Sequence, residues 1–164
     1  MTVIDLFSGV GGFSLGLKKA GYEIVLANEI DIQISDSYKK NHSETLMINS
    51  DISNLLENFD DLISQNCKDQ KIDNDLINKK LLNIDLIVGG PPCQGFSMAG
   101  GRIRKKNQFL DDPRNYLFKQ YFKVIQKFEP KYFIFENVPS FLKTSCLDLD
   151  KKNKTIEDAI KKNL

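Results

Sequence analysis

The sequence predicts an α/β fold: a mostly parallel sheet with helices on both faces. Three observations predict it. Short apolar runs alternate with amphipathic stretches from Thr2 to Asp51, in the order strand, helix, strand, helix, strand. Glycine-rich turns follow two of the apolar runs, at Gly9 to Gly12 and at Gly89-Gly90. Glu29, Asp51 and Glu136 each stand where such a run stops, the place where an open α/β sheet gathers its chemistry.

Thr2 to Phe7 is a compact apolar run and reads as the first strand. Ser8-Gly-Val-Gly-Gly-Phe-Ser14 is the turn after it. A helix follows from Gly11 or Gly12 to Ala20. Phe13, Leu17 and Ala20 share its apolar face, and Gly21 is a stop signal. Glu23 to Ala27 reads as the second strand and Asp31 to about Asn41 as the second helix, with Asp31 as N-cap. Thr45 to Ile48 is a short third strand that ends at Asn49-Ser-Asp51.

Residues 54–83 are rich in Asn, Asp, Lys and Leu and contain neither Gly nor Pro. Their leucine and isoleucine spacing predicts one or two helices with a polar link around Cys67 to Asn74, a connecting layer without a chemical motif. Asp85 to Val88 is the fourth strand and feeds Gly89-Gly-Pro-Pro-Cys-Gln-Gly-Phe-Ser97. Residues 97–111 read as a mobile loop. Asp112 then caps a helix with Pro113 in its first position, and Tyr116, Leu117, Phe118, Tyr121, Val124, Ile125 and Phe128 form its apolar face. Pro130 ends it, and Lys131 to Phe135 is the fifth strand. The tail, 144–164, is polar, with one weak helix around Ile156, Ala159 and Ile160. Without an internal repeat or a flexible linker, residues 1–143 read as one domain.

Of the 164 residues, 41% are hydrophobic and 27% charged, ordinary values for a globular domain with a real core. No apolar run reaches membrane-spanning length. The start of the chain is already strand-like, so no signal peptide is expected. Cys67, Cys93 and Cys146 are widely spaced and form no Cys-x-x-Cys, which argues against a disulfide framework or a metal site and for a reducing, cytoplasmic setting. His42, the single histidine, lies at the end of a polar helical stretch and is expected on the surface. The net charge is +1. A protein that grips a duplex alone carries a basic face, so a DNA partner would be held by a local patch or by another polypeptide.

The chemistry-bearing residues fall at the strand ends. Gly9-Val-Gly11 follows a strand and opens a helix, the context of a nucleotide-binding turn, and an anion there meets free N–H groups and the positive end of a helix. Ser14 occupies the position where the dinucleotide fingerprint has Gly or Ala. That counts against NAD, and the anion could instead be a carboxylate. Glu29 stands where an acidic residue accepts from both ribose hydroxyls; otherwise it is a surface residue before a helix. Asp51 suits an adenine amino group, a helix N-cap, or both, and Ile52 could pack on the ring. Glu136 follows an aromatic strand. Partial desolvation there would favour its neutral, proton-donating form, and the alternative is an ionised carboxylate at a helix start. Cys93 sits on a proline-stiffened loop at a strand end, as a presented nucleophile or as an ordinary loop cysteine.

Taken together, these stretches resemble the catalytic region of DNA cytosine-5 methyltransferases. Asp5-Leu-Phe-Ser-Gly-Val-Gly-Gly-Phe-Ser-Leu-Gly16, Asn28-Glu-Ile-Asp31, Asp51-Ile52, Gly89 to Ser97, Asp112-Pro-Arg-Asn-Tyr-Leu117 and Phe135-Glu-Asn-Val138 resemble ordered family blocks. The resemblance implies a Rossmann-like, S-adenosylmethionine-dependent methyltransferase fold. It implies donor contacts from Phe7, Ser8, Gly9, Gly11, Gly12, Phe13, Glu29, Ile30, Asp51, Ile52, Pro91 and Leu117. It implies catalysis by Cys93 and Glu136 on a cytosine flipped out of duplex DNA, in a pocket shaped by Pro92 and Asn137. Base and DNA contacts fall to Gln94, Ser97, Arg102 and Arg104; the basic run from Arg102 to Lys106 reads equally as a solvated charge run.

The family's chain continues beyond these blocks. Its later Gln-Arg-Arg-type block, target-recognition region and last sheet strands have no counterpart here. The resemblance therefore implies an N-terminal catalytic part: a truncated chain, a degraded gene, or one subunit of a split enzyme that needs a complementing portion. Two other functions compete: a catalytically silent S-adenosylmethionine-binding fragment, and a nicotinamide-dependent oxidoreductase argued from the first turn alone. A transfer-RNA substrate, as in one structural relative of the family, is excluded only weakly.

Overall fold

The computed structural model describes residues 1–92, 116–143, 145–147 and 153–163. Two compact units are present. One comprises 1–90 and 123–136, the other 91–122 and 137–164.

The first unit is built on five parallel strands: β1 (Thr2–Leu6), β2 (Glu23–Glu29), β3 (Leu46–Asn49), β4 (Leu86–Gly89) and β5 (Tyr132–Phe135), in the order β3-β2-β1-β4-β5. The chain starts in the middle, steps outward to β3, then returns past β1 to β4. Such reversal leaves a crevice at the strands' carboxyl ends. Helices α1 (Gly12–Lys19) and α2 (Ile32–Asn41) join the first three strands. Right-handed crossovers place both on one face, and the return to β4 runs over the other. Val3, Ile24, Leu86 and Val88 form the core beneath α1, with Phe13 and Leu17 packed on them; Ala27, Met47 and Tyr38 continue it beneath α2.

The segment between β3 and β4 forms three helices rather than one or two: α3 (Ile52–Glu57), α4 (Phe59–Gln70) and α5 (Asn74–Leu81). Their breaks have local causes. Asp51 and Asp73 supply fresh N-caps, and Lys71 takes a left-handed conformation that ends α4. Helix α6 (Leu117–Phe128) spans both units, and Phe128 meets Phe59 edge-on at 5.4 Å.

Asp31 caps α2 as its position predicts, accepting from Gln33 N at 2.8 Å and Ile34 N at 3.1 Å. We expect Asp31→Ala to cost about 1 kcal/mol in urea unfolding and to leave the fold unchanged by circular dichroism.

In the second unit Phe118 and Phe141 pack edge-on at 5.7 Å, and Phe118, Tyr121, Phe141 and Ile156 are buried. The tail contains the expected helix, α7 (Ile156–Asn163). It also contains an antiparallel pair that sequence periodicity did not reveal, β6 (Ser145–Leu147) with β7 (Asn153–Thr155). Strands of three residues are too short to show a period of two. No helix among the described residues is long and apolar enough to cross a membrane.

Candidate methyl-donor site

The turn between β1 and α1 is held from both sides. Gly9 N–H donates to Glu29 Oε2 at 3.0 Å, and Ser8 N–H donates to the Asn28 carbonyl at 3.0 Å. Phe7, Gly9 and Gly11 all have positive φ, at 54°, 55° and 95°. For Phe7 this is strain, of the kind that clusters at binding turns.

The glycines of this turn differ in purpose. A side chain at Gly9 or Gly12 would meet nothing within 4 Å, so these two line open space. At Gly11 a Cβ would lie 2.3 Å from Nε2 of His42. The close approach at Gly11 is therefore made by the protein's own histidine. His42 is 3% exposed, which corrects the expectation of a surface residue. Its ring stacks on Tyr38 at 4.5 Å, and Lys18 Nζ donates to its Nδ1 at 2.9 Å. Burial, then the Lys18 cation, holds the imidazole below its usual pKa. Lys18 is in turn paired with Glu44. Polar helix ends in sequence do not show which strand start they fold against, so nothing local revealed this burial.

Two asparagines fix the next strand ends. Asn28 Nδ2 donates to the Ile48 carbonyl at 3.1 Å and the Ser50 carbonyl at 2.8 Å. Asn49 Nδ2 returns the favour to β2, reaching the Glu29 carbonyl at 2.9 Å and the Ile30 carbonyl at 3.0 Å. These reciprocal clamps lock the ends of β2 and β3 together; Glu29 closes β2, and Asp51 stands two residues past β3. The sequence reading missed Asn49; an amide at a strand end, opposite another amide, was the available signal.

Glu29 holds Gly9 with one oxygen and the Asp31 N–H with the other, at 2.9 Å. An ionised carboxylate has about four lone-pair sites, so two remain to accept from a diol. Asp51 uses Oδ1 to cap α3 through Ser53 N at 2.8 Å, and its other oxygen accepts no bond from the described residues. It can cap a helix and accept an amine at once. Ile30 is 66% exposed, whereas Ile52 is buried at 2%, so Ile30 offers the open apolar surface beside these carboxylates. These donor and acceptor types fit the ribose and adenine of an adenosyl ligand.

At the end of β5, Glu136 N–H donates to the Gly89 carbonyl at 2.9 Å. A Cβ on Gly90 would lie 2.9 Å from Glu136 Oε2. The missing side chain at Gly90 thus makes room for this carboxylate. Glu136 is exposed, not desolvated as the aromatic strand led us to expect. The reason lies in the topology. β5 is an edge strand, and unlike the other edge, β3, which α2 and α4 cover, it leaves Tyr132, Phe133 and Ile134 62%, 41% and 44% exposed. Two apolar clefts border it, of about 440 Å³ against Phe13 and Leu17 and about 510 Å³ against Met1 and Tyr22.

In the second unit Asn137 Nδ2 donates to the Pro91 carbonyl at 2.9 Å. Pro91 is buried, Pro92 is exposed and Leu117 is half-buried at the start of α6. Cys93, Gln94, Ser97, Arg102, Arg104 and the 97–111 loop lie outside the described residues, as does the expected cap at Asp112.

Comparison with known proteins follows this geometry. Over 138 residues the chain is 41% identical to the type II methyltransferase M1.HphI of Haemophilus parahaemolyticus, covering 84% of this chain and 32% of that protein. It is 40% identical over 142 residues to the type II methyltransferase M.DdeI of Desulfomicrobium norvegicum, covering 87% and 29%. Among solved structures, a protein described provisionally as a prophage-encoded DNA modification methyltransferase (E. coli) superposes with a TM-score of 0.62 at 34% identity, covering 87% of this chain and 33% of that one. The chain thus spans about a third of the length of these relatives. Residues 1–161, which contain every strand and turn described above, match a single family profile, and the chain belongs to the C-5 cytosine-specific DNA methylases.

Proposed function

We propose that the chain is the N-terminal catalytic part of an S-adenosylmethionine-dependent DNA cytosine-5 methyltransferase of the restriction-modification type. One observation carries the reading: the Gly9 turn, Glu29 and Asp51 sit on adjacent strand ends, with spare acceptors on both carboxylates and open space above Gly9 and Gly12. In this reading residues 1–143 form the catalytic domain.

S-adenosylmethionine, when bound, supplies an electrophilic methyl group on a sulfonium. Glu29 holds its ribose, Asp51 its adenine amine, and the head of α1 its carboxylate. Following the family motif, the Cys93 thiolate adds to carbon 6 of a cytosine flipped from the duplex, because that carbon is unreachable within the stack. Glu136 binds the pyrimidine edge and protonates ring nitrogen 3 as the sulfur adds. The electron pair released into the ring makes carbon 5 nucleophilic. Carbon 5 would then take the methyl group as its bond to the sulfonium sulfur breaks, leaving a neutral thioether. Loss of the carbon 5 proton would expel the thiolate, and ring nitrogen 3 would return its proton to Glu136, restoring the aromatic ring. Covalent addition splits one difficult step into easier ones.

A second reading, a donor-binding part that needs the rest of the family's length for turnover, is favoured by the exposed apolar residues of β5 and by coverage of a third of the relatives.

The test is ligand-induced stabilisation. S-adenosylmethionine at a hundred times its Kd contributes about 2.7 kcal/mol. For a domain of this size that is a rise in Tm of about 5–10 °C. Glu29→Ala should remove most of the rise. A larger rise with NAD than with S-adenosylmethionine would overturn the assignment.

A further inference from the structure

We infer that Asp5 is a positioning residue for the turn at the head of α1, and that its charge sets how tightly that turn holds a ligand carboxylate. The inference rests on the donor-binding reading above and concerns a residue beneath the site.

Asp5 lies in β1 between Ala27 of β2 and Val88 of β4, on the face that α1 covers. It is 0% exposed. Ser14 Oγ donates to Asp5 Oδ2 at 2.6 Å, and the Tyr38 hydroxyl lies 2.6 Å from the same Ser14 oxygen. Because the Ser14 proton goes to Asp5, Tyr38 is the donor to Ser14. The chain therefore runs Tyr38 to Ser14 to Asp5, from α2 through α1 to the central strand, with Ser14 and Tyr38 also 0% exposed. This explains the departure from the dinucleotide fingerprint. The position that normally holds Gly or Ala for close packing holds a hydroxyl that ties helix to strand.

Gly11, the N-cap of α1, supplies no side-chain cap. Asp5 lies beneath this helix end and accepts from the Ser14 hydroxyl in its first turn, which favours the ionised form. Its second oxygen, Oδ1, is buried with no partner among the described residues. A buried carboxylate bonded through one oxygen is incompletely compensated. Burial accordingly pushes its pKa up to about 6, against the pull of Ser14.

An anion arriving at the outer side of the same helix end draws on the same partial positive charge. Two negative charges at one terminus oppose each other, and protonation of Asp5 relieves the opposition. The sign follows: binding a carboxylate takes up a proton, so affinity is highest below the free pKa of Asp5 and falls as pH rises through it. The other groups around Asp5 are few. β2 and β4 present Ala27 and Val88. α1 presents Ser14, with Lys18 a turn further on. α2 presents Tyr38, beyond which His42, Lys18 and Glu44 form their own set. Glu29 holds the far end of the turn.

The experiment is isothermal titration between pH 5 and 7 with two probes: S-adenosylmethionine, and its decarboxylated form, which keeps the sulfonium and the ammonium and lacks only the carboxylate. We expect S-adenosylmethionine affinity to fall about three- to tenfold across this range, tenfold corresponding to one unit by which the bound anion raises Asp5. Affinity for the decarboxylated form should not fall as pH rises. Asp5→Asn should flatten the S-adenosylmethionine profile. Ser14→Ala removes a bond that favours ionisation and should move the midpoint upward, which keeps the test decisive if Asp5→Asn does not fold. A slope that persists in Asp5→Asn, or an unmoved midpoint in Ser14→Ala, overturns the inference and assigns the titration to His42 or elsewhere. Absence of binding by both probes at every pH overturns the donor reading and this inference with it.

Discussion

Gly11→Ala should destabilise the protein by about 3 kcal/mol and abolish ordered binding at the β1–α1 turn. Two independent costs add. Residue 11 has a φ of 95°, which an L side chain adopts only with strain of about 1–2 kcal/mol. The new methyl group would also sit 2.3 Å from His42 Nε2 and 3.0 Å from Tyr38 Cε2, both on buried rings with little room to move. Overpacking of this kind costs about 1–3 kcal/mol. Thermal unfolding should show Tm lowered by about 6–12 °C for a domain of this length. A double-mutant cycle separates the two costs. Adding His42→Ala to Gly11→Ala should restore part of the loss by removing the collision and leave the backbone strain, giving a coupling of about 1–2 kcal/mol. Gly12→Ala is the control, because a Cβ there meets nothing within 4 Å. Equal losses at positions 11 and 12 would show that the ring contact does not govern the turn.

Cys93→Ser should lower methyl transfer by about 10³-fold or more and eliminate covalent capture of duplex DNA carrying 5-fluorocytosine. In the proposed mechanism the thiolate is the nucleophile, and a serine hydroxyl at the same place would be ionised far less at neutral pH. Fluorine at carbon 5 leaves no proton to remove, so a thiolate that has added stays bound and the complex survives denaturing electrophoresis. The assay mixes the chain with a polypeptide supplying the remaining length of a family member. Glu136→Gln should lose about 10²–10⁴-fold, the usual worth of a general acid, while still binding S-adenosylmethionine, since that residue stands apart from the Gly9 turn in role. Capture that persists in Cys93→Ser would remove Cys93 as nucleophile. Methyl transfer by the chain alone would sink the reading of a part that needs complementing.

Much of the candidate donor site was legible as spacing. Glu29 ends β2 twenty residues after Gly9, and the two are bonded. Asp31 and Asp51 both cap helices, as acidic residues ahead of amphipathic stretches do. The connecting layer was legible as helical and not in its division, because the breaks at Asn58 and Lys71 carry neither Gly nor Pro. Glu136 was legible as a strand-end carboxyl but not in its exposure, which depends on β5 being an edge strand less covered than the opposite edge, β3.

The amino-acid sequence by itself determined the alternation of strands and helices, the residues that close each strand and, through its motif blocks, the family. Those signals are local: period, cap and turn chemistry act over a few residues and survive without knowledge of neighbours. The tertiary structure alone decided that Ser14 is a tie rather than a blemish in a fingerprint, that His42 is buried under Gly11, and which glycines open toward a ligand. Each of those depends on side chains 9 to 31 positions apart meeting across the sheet's face. A buried polar group takes its meaning from the partner that satisfies it, and only the folded chain supplies that partner.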